Sequence, residues 1–128
     1  MHAIFLPRDH VEAVNAKAAA GEAPWAQALE KLLAAGEAGL QQPPLSLCQN
    51  GGSKYFRQDA VYVPGQDGVR NEASNMKSGA LAHRLSDVCL DLAMCWRFTG
   101  EARYADKALQ LDHAWCLDRA TYMFPEGR

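Results

Sequence analysis

Residues 76–117 read MKSGALAHRLSDVCLDLAMCWRFTGEARYADKALQLDHAWCL, and the spacing of their apolar side chains decides the fold class. Before Gly100 the apolar residues recur at the i, i+4, i+7 positions of one helix face, which predicts a helix over residues 76–98. Gly100 ends this helix, and a second helix is predicted over residues 101–117. The predicted buried stripes are Leu81, Leu85, Val88, Leu92 and Cys95 in the first helix, and Tyr104, Ala105, Ala108, Leu111 and Trp115 in the second.

Two shorter helices are predicted upstream, over residues 8–20 and 24–38. Gly21 suits the end of the first and Pro24 the first turn of the second. Together they predict an antiparallel helical hairpin around the Gly21 turn. We expect Gly36 and Gly39 to weaken the end of the second helix. Large apolar side chains at helical spacing are Val11 and Val14 in the first helix, and Trp25, Leu29, Leu32 and Leu33 in the second.

The segment between the hairpins, residues 41–75, contains three prolines and four glycines and has no sustained helical period. Loops of this length inside a compact domain are usually functional lids, binding loops or disordered segments. Its apolar side chains predict an ordered, packed loop, with a short strand at residues 60–63. The chain is therefore predicted to be all-α, with two helical hairpins joined by a long ordered loop.

The composition, 48% hydrophobic and 22% charged, is that of an ordinary globular protein, and 128 residues predict one domain. A net charge of -2 gives no general attraction to nucleic acid or to anionic membranes. No apolar run is long enough to span a bilayer, and residues 1–15 lack the apolar core of a secretory signal. We expect a cytoplasmic protein, or a periplasmic or secreted one if the true N-terminus is missing.

The cysteines give no support for a metal or redox site, because none of the four forms a CxxC pair. Cys48, Cys89, Cys95 and Cys116 are interpreted as buried free thiols. His113 and Cys116 have i, i+3 spacing, but two ligands without nearby partners are poor grounds for a metal site. We expect neither a metal nor a cofactor.

Two longer segments resemble the alginate lyase family. VPGQDGVRNEA (63–73) is similar to that family's DGVRNP segment, and LAMCWRFTGEARYADKALQLDHAWCLDRATYMFP (92–125) is similar to its TGxxxYAxKA and AWxLDxATxMxP motifs. The TGxxxYAxKA motif occurs in many helical-repeat proteins, whereas the AWxLDxATxMxP motif is more specific. Three positions depart from the family: Glu72 and Arg119 replace prolines, and Phe124 replaces an asparagine.

The resemblance implies an (α/α) toroid, a ring of antiparallel helical hairpins around a cleft. The family's toroids are considerably longer than this chain, and two hairpins cannot close such a ring. Residues 1–128 are therefore expected to be an N-terminal portion of an incomplete toroid.

The resemblance also implies cleavage of alginate or a related polyuronate by β-elimination. That reaction needs a group that neutralises the C5 carboxylate, a base that removes the C5 proton and an acid that protonates the departing O4. In the family an Asn–His motif, an arginine and a tyrosine do this work. No histidine of this chain follows an asparagine, so no catalytic role is assigned to any residue present, and we expect an incomplete active site.

Substrate-binding residues are predicted in the long loop, where GSKY (52–55) resembles a family segment whose lysine contacts substrate. Ammonium and guanidinium groups pair with carboxylates, and aromatic rings stack on sugar faces. The candidate substrate-binding residues are Lys54, Tyr55, Arg57, Tyr62, Arg70 and Asn71. The competing interpretation is a loop with ordinary solvated charges, in which Arg70 and Asn71 only fix the loop onto the helices.

Other side chains favour structural roles. His83 is interpreted as an ordinary helical histidine, Asp87 and Asp91 as a solvated face, and Trp96 and Trp115 as core residues. The expected partner is an acidic polysaccharide, and exposed apolar helix faces would also allow self-association. The alternative function is a non-catalytic helical-hairpin interaction module or carbohydrate-binding module, with the long loop as its binding element.

Overall fold

A computed structural model of the protein describes residues 6–46, 77–118 and 121, and the side chains of all of these except residues 77–79. It contains the four predicted helices: α1 (Arg8–Ala19), α2 (Trp25–Leu40), α3 (Lys77–Thr99) and α4 (Ala102–Cys116). The all-α prediction is confirmed, and every helix end lies within two residues of its predicted position. The predicted strand at residues 60–63 lies outside the described residues. None of the described helices combines the length and the apolarity needed to cross a lipid bilayer.

The turn between α1 and α2 is built around Gly21, as predicted. Gly21 has a φ of +75°, a left-handed conformation that glycine adopts without a steric penalty. Its N–H donates to the Ala18 carbonyl over 3.0 Å, and the Glu22 N–H donates to the Lys17 carbonyl over 3.0 Å. This pair of bonds is a Schellman motif, which satisfies the last carbonyls of α1. The chain then turns back, so that α1 and α2 pack against each other.

The turn between α3 and α4 depends on Thr99 and Gly100. Gly100 has a φ of +74° and ends α3. The Thr99 hydroxyl donates to the Cys95 carbonyl over 2.7 Å and accepts the Glu101 N–H over 3.1 Å. One side chain therefore satisfies both the end of α3 and the start of α4, which explains why a Thr-Gly pair stands here.

The chain forms two compact units. The first comprises residues 1–42 and 90–108, and the second comprises residues 43–89 and 109–128. Both predicted stripes supply core residues. Among the described residues, the buried apolar side chains of the first unit are Val11, Leu92, Cys95 and Tyr104, and those of the second are Leu45, Leu85, Leu111, Ala114 and Trp115.

Gly36 permits a close approach between helices in the first unit. We expected Gly36 and Gly39 to weaken the end of α2, but the helix continues through both, and both are buried. A Cβ atom at Gly36 would overlap the Cys95 sulfur and lie 3.2 Å from Cε1 of Tyr104. The Cys95 thiol donates to the Leu32 carbonyl over 3.2 Å, one turn earlier in α2. The glycine is therefore needed for packing, which explains its tolerance within a helix.

Gly36→Ala tests this close approach. Alanine favours helix by about 1 kcal/mol over glycine, but overpacking a core costs about 1–3 kcal/mol. We expect a net loss of unfolding free energy, measured by urea denaturation followed by circular dichroism. Adding Cys95→Ala removes the overlapping sulfur and should recover part of the loss. A single variant as stable as the wild type would contradict the packing described.

Candidate functional site

The six predicted substrate-binding residues lie outside the described residues. They are Lys54, Tyr55, Arg57, Tyr62, Arg70 and Asn71. The structure does describe the start of the loop that carries them, residues 41–46, and the first residues of α3 that follow it. The attachment of this loop is therefore the part of the site that the structure describes.

The start of the loop is held by hydrogen bonds within the second unit. Leu45 is 4% exposed and Ser46 is 1% exposed, so both residues are buried near the start of the loop. The Ser46 hydroxyl donates to the Thr121 carbonyl over 2.8 Å. The Thr121 hydroxyl in turn donates to the Ala114 carbonyl in the last turns of α4, over 2.7 Å. These two bonds connect the loop to α4 through the AWxLDxATxMxP motif.

Backbone hydrogen bonds after α4 hold Leu117, Asp118 and Thr121. The N–H groups of Leu117 and Asp118 both donate to the His113 carbonyl over 2.9 Å, and the Thr121 N–H donates to the Asp118 carbonyl over 2.9 Å. The AWxLDxATxMxP motif, the more specific of the two family motifs, therefore has a structural role here. It caps α4 and supplies the acceptor that holds Ser46.

A polar cluster of Glu37, Glu101, Arg103 and Tyr104 lies in the first unit. The Arg103 guanidinium binds both carboxylate oxygens of Glu37, with N–O distances of 2.5 Å and 3.2 Å. Its Nε donates to Glu101 over 2.7 Å. The Tyr104 hydroxyl donates to Glu37 Oε1 over 2.7 Å. The cluster connects α4 to α2 beside the close approach at Gly36.

Electrostatics give the polar cluster a structural role. The hydrogen bond to Glu37, followed by burial, raises the pKa of Tyr104 to about 12. The hydrogen bonds from Tyr104 and then Arg103 lower the pKa of Glu37. At neutral pH the phenol stays protonated and the carboxylate stays charged. A general acid or base works best with a pKa near the working pH, so neither group is suited to transfer protons.

The cysteines lie in different environments, which partly corrects the expectation of buried thiols. Cys95 is buried, and burial raises its pKa. Cys89 is half-buried, whereas Cys116 is exposed. The Cys116 sulfur lies 3.8 Å from Asp112 Oδ1. Cys48 lies outside the described residues.

The remaining candidates are scattered. Within residues 6–46 and 77–118, no three His, Cys, Asp or Glu side chains are grouped so as to hold a metal ion. His83 and Asp87 are exposed on α3. Trp115 is 7% exposed and belongs to the core as predicted, but Trp96 is 43% exposed, so its assignment to the core was wrong.

An apolar pocket of about 280 Å³ opens in the first unit, and sequence reasoning missed it. Residues from α1, α2 and α3 line it. They include Val14, Trp25, Leu29, Met94 and Phe98, together with Leu6 just before α1. The Lys17 ammonium lies 5.1 Å from the centroid of the Trp25 ring. The signal in the sequence was the group of large apolar residues at helical spacing, which was interpreted only as core.

Comparison with known proteins agrees with the motifs. A family model described as alginate lyase matches residues 12–127. The match includes the described helices from the second turn of α1 onward and the whole long loop. No curated protein and no solved structure matches the chain.

Tyr104→Phe tests the polar cluster through its pH dependence. The folded pKa of about 12 lies above the ordinary value of about 10. The hydroxyl therefore contributes stability that is complete below pH 10 and is lost as the pH rises toward 12. Between these pH values the urea midpoint of the wild type should fall more steeply than that of the variant. Equal slopes would show that Tyr104 is not held by Glu37.

Proposed function

This chain belongs to the alginate lyase family, and we propose that it supplies the substrate-binding loop and first helical hairpins of a polyuronate lyase. The match over residues 12–127 carries the proposal. The substrate would be alginate or a related polyuronate. The helices would form part of an (α/α) toroid, with the loop at the entrance of its cleft.

The proposed reaction is β-elimination, and the residues present supply only part of it. Lys54, Arg57 and Arg70 carry positive charges suited to the carboxylates of a uronate chain. Tyr55 and Tyr62 offer ring faces to the sugars. The sequence has no Asn–His pair to remove the C5 proton. In this proposal the chain binds and orients the polymer, and chemistry requires groups that these 128 residues lack.

The anchoring of the loop supports a binding role. Functional residues often lie on loops that a rigid scaffold positions. Here the buried Ser46 fixes the start of the loop to the turn that follows α4. A loop attached in this way would lose less conformational entropy when it binds a ligand.

Charge also constrains the proposal. The chain has a net charge of -2, so its overall charge does not attract an anionic polymer. Attraction must come from the local cations of the loop, and added salt should weaken it. The acidic Asp87 and Glu30, both exposed on helices, would disfavour binding along those helix faces.

A non-catalytic carbohydrate-binding or helical-hairpin interaction module is the alternative, favoured by the missing Asn–His pair. We also propose self-association through exposed apolar side chains. Leu109 and Leu117 in the second unit are each 67% exposed. Sedimentation velocity over a range of concentrations should show dimers that Leu109→Gln weakens. A single monomer boundary throughout would refute self-association.

Alginate binding by the 128-residue chain tests the loop. Lys54→Ala and Arg70→Ala should each weaken binding by roughly tenfold at low salt, the effect of losing one hydrogen bond to a charged group. Lys31→Ala removes a charge from the exposed face of α2 and serves as the matched control. Affinity electrophoresis in alginate gels measures the change. Equal losses in all three variants would indicate non-specific attraction.

The same mixtures report cleavage, because β-elimination creates an unsaturated uronate that absorbs in the ultraviolet. We expect no rise in absorbance from this chain alone. A rise would overturn the assignment of an incomplete active site. Binding without cleavage is also the result expected of a carbohydrate-binding module. Restoration of cleavage by adding the family's later hairpins would then favour the lyase.

A further inference from the structure

The apolar pocket of the first unit has the size of a small-ligand site. Its volume is about 280 Å³, near the lower end of the range for ligand pockets, which begins at about 300 Å³. An apolar cavity of about 150 Å³ holds one benzene ring, so this pocket has room for a ligand of about two fused rings. The described residues that line it all belong to the first unit.

The lining of the pocket favours an aromatic or aliphatic group over a sugar. Trp25, Leu29, Met94 and Phe98 present apolar side chains to it. Among the described lining residues, His10 is titratable and none is acidic. Sugar hydroxyls moved into such a lining would give up hydrogen bonds to water without gaining enough partners in return. The pocket therefore suits a different class of ligand from the polyuronate proposed for the loop.

A lysine at the edge of the pocket selects the charge of the ligand. The Lys17 ammonium lies 5.1 Å from the centroid of the Trp25 ring, and Trp25 lines the pocket. Val14 and His10, which also line it, lie at helical spacing from Lys17 and therefore on the same face of α1. An ammonium in this place attracts an anion and repels a cation.

We propose that this pocket binds a small apolar monoanion, such as an arylcarboxylate, with its rings in the pocket and its carboxylate beside Lys17. Trp25, Met94 and Phe98 are half-buried, so rings placed against them would remove further apolar surface from water. Contacts of the rings with the Trp25 indole and the Met94 sulfur would add to this gain. The carboxylate would stay at the rim, because Lys17 is exposed and an exposed pair avoids the cost of desolvating both charges.

Calorimetric titration of the 128-residue chain with 1-naphthoate tests the charge of the ligand, and 1-naphthalenemethanol is the neutral ligand of matched shape. The wild type should bind naphthoate with a dissociation constant of about 1 mM or below, and more tightly than the alcohol. Lys17→Ala should weaken naphthoate binding by about threefold, the effect of losing one exposed ion pair, and leave the alcohol unchanged. Lys31→Ala removes the same charge from the exposed face of α2 and should change neither.

Three results of this titration would overturn the proposal. The first is a wild type that does not bind naphthoate. The second is a wild type that binds the alcohol as tightly as the acid. The third is an equal change in Lys17→Ala and Lys31→Ala, since the ammonium beside Trp25 would then have no specific part in binding.

Filling the pocket tests where the ligand binds. Ala28 lines the pocket and is exposed, so Ala28→Phe adds a ring there without replacing a buried residue. Ala34 is also exposed on α2 and is not a lining residue, which makes Ala34→Phe the matched control. Ala28→Phe should abolish binding of both ligands and Ala34→Phe should retain it, with circular dichroism showing that both variants are folded.

Equal binding by these two variants would place the ligand elsewhere on the chain and would refute the site. An affinity for naphthoate that falls as the protein concentration rises would show that a second copy of the chain competes for the pocket. That result would make the second copy the occupant and would also refute the proposal.

Discussion

The close approach at Gly36 is the constraint on which the first unit depends. With no Cβ on this residue, α2 comes into contact with the Cys95 sulfur on α3 and the Tyr104 ring on α4. Interiors are packed tightly enough that one added methyl group is felt. The hydrogen bond from Cys95 to the Leu32 carbonyl and the polar cluster around Glu37 both require this short separation. The polar contacts therefore depend on the packing contact at Gly36.

The two family motifs contribute to different parts of the molecule. In the first unit, Tyr104 of the TGxxxYAxKA motif and the neighbouring Arg103 join α4 to Glu37 on α2. In the second unit, the threonine of the AWxLDxATxMxP motif caps α4 and receives Ser46 at the start of the long loop. Neither motif holds a group poised for proton transfer among the described residues. Both motifs have structural roles, because they fix the elements that would hold a substrate-binding loop.

The candidate substrate-binding site stays a prediction from the sequence, because its residues lie outside the described ranges. The positively charged and aromatic side chains of residues 54–71 can be recognised in the sequence, because they are the types that bind acidic sugars. Helices can be predicted from the period of their apolar residues. The loop has no such period, so the positions of its side chains cannot be predicted from the sequence. The hydrogen bond of Ser46 could not be predicted either, because a serine near two prolines indicates only a turn. Its partner, Thr121, lies 75 residues away.

The sequence by itself determined the four helices, the turns at Gly21 and Gly100 and the family. These follow from local spacing, from glycine's access to positive φ and from ordered motifs. Only the tertiary structure decided that Gly36 is a packing contact, that Trp96 is exposed and Trp115 buried, and that an apolar pocket adjoins Leu6. A helical pattern shows which side chains share a face. Which neighbour covers that face, and how closely, is set by residues far away in the chain.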